Sequence, residues 1–307
     1  MLISGGTGMV GGAVSKYLVN KGYKVIVLSR QVGQDSSGRL SFGNSNIAFS
    51  KWDVKKHEID IAALQQADYI IHLAGAGVMD KKWTAAYKKE IIDSRVESAK
   101  LIVQSLTNNE NKVKKVISAS ATGWYKASEV IHTEDEPADD SFLGSTCRLW
   151  EESMKPVTTL QKGLVQFRIG IVLSKSGGAL KEFIAPLRLG IAAILGNGKQ
   201  MISWIHIDDL CRLFLFAIEN ESINGVYNAV APEPVNNKTL ILTLAKKIKR
   251  LFYIPLYVPA FILKIMLGGR SIEILKSTAV SCKKIMAAGF SFRFTNIKAA
   301  VDDLMGS

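Results

Sequence analysis

The sequence predicts an α/β protein: a doubly wound parallel sheet with a smaller, mainly helical C-terminal lobe. Three observations predict it. Short β-rich runs alternate with amphipathic helical runs as far as Leu173. A glycine-rich turn, Ser4-Gly5-Gly6-Thr7-Gly8-Met9-Val10-Gly11, separates the first apolar run from the first helix. Beyond Leu173 the pattern loosens into short segments that end at Leu304.

Met1-Leu2-Ile3 leads into the turn, and Val10, Val14, Leu18 and Val19 lead out of it at helical spacing. Strand, turn and helix in that order aim a helix N-terminus at a pyrophosphate. Gly5 permits the tight turn, Gly8 lets the backbone approach the phosphates, and Gly11 allows close helix–strand packing. Only Met1 to Ser4 precede the turn, so either the first strand is shorter than the usual ~5–6 residues or the natural start lies upstream.

Residues 24–30 read as the second strand. In an NAD-binding unit this strand ends in Asp or Glu, which bonds the ribose 2′-hydroxyl. Here it ends in Ser29-Arg30. An acid repels a 2′-phosphate, whereas a guanidinium pairs with it and a hydroxyl adds a hydrogen bond. The expected cofactor is therefore NADP(H); the alternative is a merely solvated Arg30.

Residues 33–46, rich in Gly, Ser and Asn, read as a loop. Residues 47–54 form a third strand ending at Asp53, which is either an acceptor for the adenine amine or a plain strand-end cap. Residues 59–66 suit a short helix. The fourth strand, 67–77, carries a packed His72 and opens into small residues. Residues 83–106 have helical spacing, and 113–118 form the fifth strand, followed by Ser120 and Tyr125. A helix over 142–154 leads to a sixth strand over 163–173. Such alternation gives a Rossmann-type sheet covered on both faces. Residues 177–190 are helix-like, 203–210 begin another helix, and 226–230 return to the sheet. The predicted nucleotide domain is thus 1–175 with 203–230 returning to it; 176–202 and 231–307 form the smaller lobe.

The 307 residues carry 39 Lys+Arg against 27 Asp+Glu, a net charge of +12. The basic residues are dispersed and no recognition motif accompanies them, so nucleic-acid binding is set aside. The one dense run, Lys246-Lys247-Ile248-Lys249-Arg250, reads as a solvated helix face. Cys147, Cys211 and Cys282 are far apart and in no metal-ligand spacing, which fits a reducing compartment without disulfides or a metal. No charged-then-apolar leader precedes the turn. The apolar stretch 254–267 is too short to span a bilayer and holds Pro255, Pro259 and Lys264. A cytoplasmic protein with no membrane partner is expected.

Several stretches together resemble the extended and atypical short-chain dehydrogenase/reductases, and within them the epimerase-family branch of nucleoside-diphosphate-sugar epimerase-like proteins. They are the glycine turn, Ser29-Arg30, His72-Leu73-Ala74-Gly75 and Lys88-Lys89-Glu90-Ile91-Ile92-Asp93-Ser94-Arg95. Arg168-Ile169-Gly170-Ile171-Val172-Leu173 and Trp204-Ile205-His206-Ile207-Asp208-Asp209-Leu210 complete the set. The tail from Pro255 to Leu304 is similar to that branch's C-terminal module of uncharacterised function. The resemblance implies NADP(H) contacts at Gly5, Thr7, Gly8, Met9, Val10 and Gly11, and at Ser29 and Arg30. It adds Leu73 and Ala74 through their backbone, Glu90, Arg95, and the neighbourhood of Val172. Glu90 and Arg95 lie five apart on a helix, a spacing at which side chains are not stacked neighbours, so a ligand role is more natural than a local salt bridge.

In working members of that superfamily a Ser or Thr and a Tyr-x-x-x-Lys pair share proton transfer. The lysine and the oxidised cofactor ring lower the tyrosine pKa so that a phenolate takes the proton. At the matching positions this chain has Leu143 and Cys147, and 142–151 contain neither tyrosine nor lysine. Tyr17 and Lys21 have the spacing but lie beneath the turn. Ser120 and Tyr125 remain as catalytic candidates, Ser120 to hydrogen-bond a carbonyl or hydroxyl and Tyr125 to replace the lost tyrosine; the alternative is a buried serine and a packed loop aromatic. Two functions follow. One is an NADP-dependent oxidoreductase or epimerase acting on a hydroxyl or carbonyl of a small molecule such as a nucleotide sugar. The other is a non-catalytic NADPH-binding regulatory or redox-sensing protein.

Overall fold

The computed structural model describes residues 1–30, 46–250 and 252–306. Apart from Asn46, the predicted loop 33–46 lies outside them. In chain order the first part comprises β1 (Leu2–Ser4), α1 (Met9–Asn20), β2 (Val25–Ser29), β3 (Ile47–Asp53), β4 (Glu58–Ile59) and α2 (Ile61–Gln66). It continues with β5 (Tyr69–His72), α3 (Ala85–Asn108), β6 (Lys115–Ala121), α4 (Phe142–Met154) and β7 (Gly163–Ile169). Then follow β8 (Ile171–Leu173), α5 (Ala179–Arg188), β9 (Ile191–Leu195), β10 (Met201–Ile202), β11 (Trp204–His206), α6 (Ile207–Glu219) and β12 (Gly225–Ala229). The tail holds β13 (Val235–Asn236), α7 (Asn237–Lys249), β14 (Ile254–Val258), α8 (Ala260–Leu267), α9 (Ser271–Leu275), α10 (Lys283–Ala287) and α11 (Ile297–Met305).

The 8-stranded sheet runs β12-β7-β6-β5-β1-β2-β3-β4. Every pairing is parallel except the β3–β4 edge. From central β1 the chain moves outward to β2 and β3, then crosses back to β5 and continues the other way. The crevice between β1 and β5 is thus the topological switch point, where open α/β sheets bind ligands.

Alternation along each strand explains the two covered faces. Ile3, Val27, Ile71, Ile117 and Val165 join Val14 and Leu18 of α1 and Leu210 and Phe214 of α6 in one core. Their neighbours Leu2, Leu28, Ile70, Val116 and Leu164 join Leu64 of α2, Ile102 of α3 and Met154 of α4 in another. A third core packs α5, β9, α7 and α11 through Leu180, Ile194, Leu244 and Val301.

The first strand has three residues and is paired on both sides, in line with the short-strand alternative. The structure corrects the reading in several other places. The sixth strand divides at Gly170, where the backbone bends out of the sheet: the Gly170 N–H donates to the Ala229 carbonyl, and a Cβ there would lie 2.5 Å from the Ser203 carbonyl oxygen. The bend sends β8 to pair with β11. Residues 204–206 are therefore strand, and α6 starts at Ile207 with His206 Nδ1 accepting from the Asp208 N–H. The lobe is not helix alone, since β9–β14 and β10–β13 also pair. Among the described residues no helix is long and apolar enough to cross a membrane.

Candidate functional site

The turn is shaped by collisions that only glycine escapes. Gly5 has φ +70°, and a Cβ on it would lie 2.6 Å from the Leu73 carbonyl carbon and oxygen. On Gly11 it would lie 2.2 Å from the Gly5 carbonyl oxygen. The Gly8 N–H closes the turn on the Gly5 oxygen at 3.1 Å. Gly8 itself faces outward in an extended conformation, and the nearest atom to an added Cβ is 3.4 Å away. No side chain caps α1 and no acid stands in its first turn. The positive helix end therefore opens at the switch point, a site that fits a pyrophosphate.

Three strand ends converge there. Ser4 is in register with Leu28, so Ser29, which is buried, and Arg30, which is exposed, lie beside the turn. Leu73 donates its N–H to the Ser4 carbonyl, bringing the Leu73–Ala74 backbone against Gly5. Val172 joins Val10 at the edge of the α1 core. From the lobe, Gly178 lies over the helix start, where its added Cβ would be 3.0 Å from the Met9 sulfur.

Asp53 acts as a strand-end cap, its Oδ1 accepting from the N–H groups of Lys55 and Lys56. Glu90 is exposed and pairs with Lys81 at 3.4 Å. Arg95 holds the loop beyond β5: Nη1 donates to the carbonyls of Ala76 (3.0 Å) and Ile91 (2.9 Å), and the guanidinium stacks 5.0 Å from the Trp150 ring. His72 is packed, as expected, between Ser4 Oγ at 2.7 Å and Ser98 Oγ at 3.3 Å. Burial holds its imidazole neutral, down at about 4.

At the end of β6 lies a buried polar network whose two charged members, Glu151 and Arg168, are not among the site residues read from the sequence. Ser120 Oγ donates to Glu151 Oε1 at 2.7 Å. Arg168 grips the same carboxylate with both arms, Nε to Oε1 at 2.8 Å and Nη2 to Oε2 at 3.0 Å. Its guanidinium stacks 3.6 Å from the Trp124 ring centroid, and Nη1 donates to Tyr125 Oη at 3.1 Å. Ser120 and Tyr125 are thus joined through Arg168 and Glu151.

Tyr125 is fully buried. Its hydroxyl donates to Asn228 Oδ1 at 2.6 Å, and its ring stacks on His132. Burial pushes the phenol up to about 12, against the pull of Arg168. That is the opposite of an activated phenolate, and the geometry is that of the packed aromatic. Leu143 and Cys147 do face the segment after β6: a Cβ on Gly123 would lie 3.3 Å from Leu143 Cβ and 3.7 Å from Cys147 Sγ. Burial raises the Cys147 thiol to about 11, so it supplies no thiolate at neutral pH.

A parallel sheet with a glycine turn at its switch point defines a dinucleotide-binding α/β protein. Residues 1–147 match the NAD dependent epimerase/dehydratase family, and residues 258–304 match a domain of unknown function, DUF1731. An epimerase family protein of Staphylococcus aureus strain MRSA252 is 35% identical, the alignment covering 99% of this chain and 98% of the relative. The chain belongs to this epimerase family.

Among solved structures, human epimerase family protein SDR39U1 with NADPH superposes with a TM-score of 0.85 at 26% identity, covering 99% of this chain and 98% of that one. A nucleoside-diphosphate sugar epimerase from Corynebacterium glutamicum gives 0.77 at 29% identity, covering 99% of this chain and 57% of that one.

Proposed function

We propose that this protein binds NADP(H) in the β1–β5 crevice and uses it at a hydroxyl or carbonyl of a polar small molecule. The observation that carries this reading is the turn itself: Gly5 and Gly11 are sterically committed, Gly8 is left open, and Ser29-Arg30 stand where an acid would select NAD. The α1 N–H groups hold the pyrophosphate, and Arg30 with Ser29 holds the 2′-phosphate. The Leu73–Ala74 backbone, held by the Leu73 N–H bond to the Ser4 carbonyl, lines the floor. When bound, the nicotinamide supplies a hydride donor or acceptor. The human relative solved with NADPH supports the choice of cofactor, and the name of the Corynebacterium protein supports nucleotide sugars as the substrate class.

On the substrate side, Ser120 is held by Glu151 at the end of β6, with its proton already donated. Toward a substrate it therefore acts as an acceptor. Tyr125 serves to pack the loop and keeps its proton.

A second reading, an NADPH-binding regulatory protein without turnover, is favoured by Leu143 and Cys147 at the proton-transfer positions. NADPH oxidation in the presence of carbonyl compounds, and interconversion of nucleotide sugars followed by NMR, test the two. Turnover with any of them favours the enzyme; tight NADPH binding with no turnover across a broad panel favours the regulatory reading.

A further inference from the structure

We propose that the face formed by β14 and α8 docks on an anionic lipid surface. Sequence reading excludes a membrane span here and expects no membrane partner. In the structure α8 has 8 residues, and the apolar side chains turn outward. Phe252 is 85% exposed, Ile254 71%, Phe261 63% and Ile265 78%, while Leu263 is the one buried residue of α8. The patch is continuous: Pro259 joins β14 directly to α8, and the Ile254 N–H bonded to the Gly190 carbonyl draws in Leu189, 81% exposed. Apolar surface concentrated in this way on a soluble chain marks an interaction face.

Charge selects the occupant. Lys246, Lys249, Arg250, Lys264 and Arg270 flank the patch in sequence, with no Asp or Glu between Pro234 and Ile272; Lys247 is paired with Asp302 of α11 at 3.3 Å. Lys264 shares one side of α8 with Phe261 and Ile265, spaced for helical neighbours. Lys238 lies 6.0 Å from the ring of exposed Tyr257. A second copy docked face to face would oppose like charges, and Pro255 blunts the β14 edge against strand pairing. A bilayer rich in anionic headgroups satisfies both features. The apolar side chains enter the interface while the lysines reach the phosphates.

Vesicle co-sedimentation without any nucleotide keeps this test separate from the cofactor reading. The full chain is expected to sediment with equimolar phosphatidylcholine–phosphatidylglycerol vesicles, to be released by high salt, and to ignore phosphatidylcholine alone. Lys264→Gln should weaken binding about fivefold, and the double variant Phe261→Ser, Ile265→Ser should abolish it. Both should leave the far-ultraviolet circular dichroism and the urea-unfolding midpoint unchanged, which shows that they fold. Absence of binding to anionic vesicles overturns the proposal, as does equal binding to both vesicle types. A dimer that the double variant disrupts, in a chain that ignores vesicles, assigns the face to a second copy instead.

Discussion

Gly11→Ala is expected to cost about 3 kcal/mol of stability or more and to remove NADPH binding. Gly11 has no unusual φ, so the cost is purely steric. Its added methyl would meet the Gly5 carbonyl oxygen at 2.2 Å and the Gly6 Cα at 2.7 Å, both backbone atoms with no rotamer to yield. Relief requires α1 to move off the turn, which takes the phosphate-binding N–H groups with it.

Gly8→Ala is the informative contrast. Its methyl meets nothing closer than 3.4 Å, and the backbone conformation suits any residue. Stability should fall by about 1 kcal/mol or less. NADPH affinity should still drop about tenfold, because the methyl stands where the pyrophosphate approaches and displaces charge-assisted hydrogen bonds. Urea unfolding and fluorescence titration separate the two variants. A Gly8→Ala protein that binds NADPH normally would show that the turn is not the phosphate cradle.

Glu151→Ala should destabilise the chain by about 3–5 kcal/mol, since it strands the Arg168 guanidinium in the core. Both side chains are nearly inaccessible, 3% and 5% exposed, so water cannot replace the lost carboxylate. Adding Arg168→Met removes the stranded charge, and the double variant should be more stable than Glu151→Ala alone. The partners matter for function because Ser120 is oriented by the same carboxylate. A Glu151→Ala loss under about 1 kcal/mol, measured by urea unfolding, would mean that this pair is solvated and that Ser120 is not held in place.

The parts legible in the sequence are those whose causes are local. The turn could be read because its glycines are placed by collisions within the motif and with the next parallel strand. The helix 142–154 matched α4 because Ser141 caps it and its apolar side repeats at helical spacing. What escaped depends on distant partners. The bend at Gly170 is set by the Ser203 carbonyl, and the Glu151–Arg168 pair joins a helix to a strand across the fold. Sequence placed both charges in amphipathic or β-rich runs without showing that they meet. The run 254–267 has the composition of a core, and only packing reveals that most of it faces outward.

The central claim is that the crevice takes NADP(H), with Arg30 reading the 2′-phosphate. Titrating the chain with NADPH and NADH side by side, by the change in nucleotide fluorescence, tests it most directly. NADPH should bind about tenfold to hundredfold more tightly, the worth of hydrogen bonds to a charged group, and Arg30→Ala should erase the difference. Equal binding of the two, or tighter binding of NADH, would contradict the account.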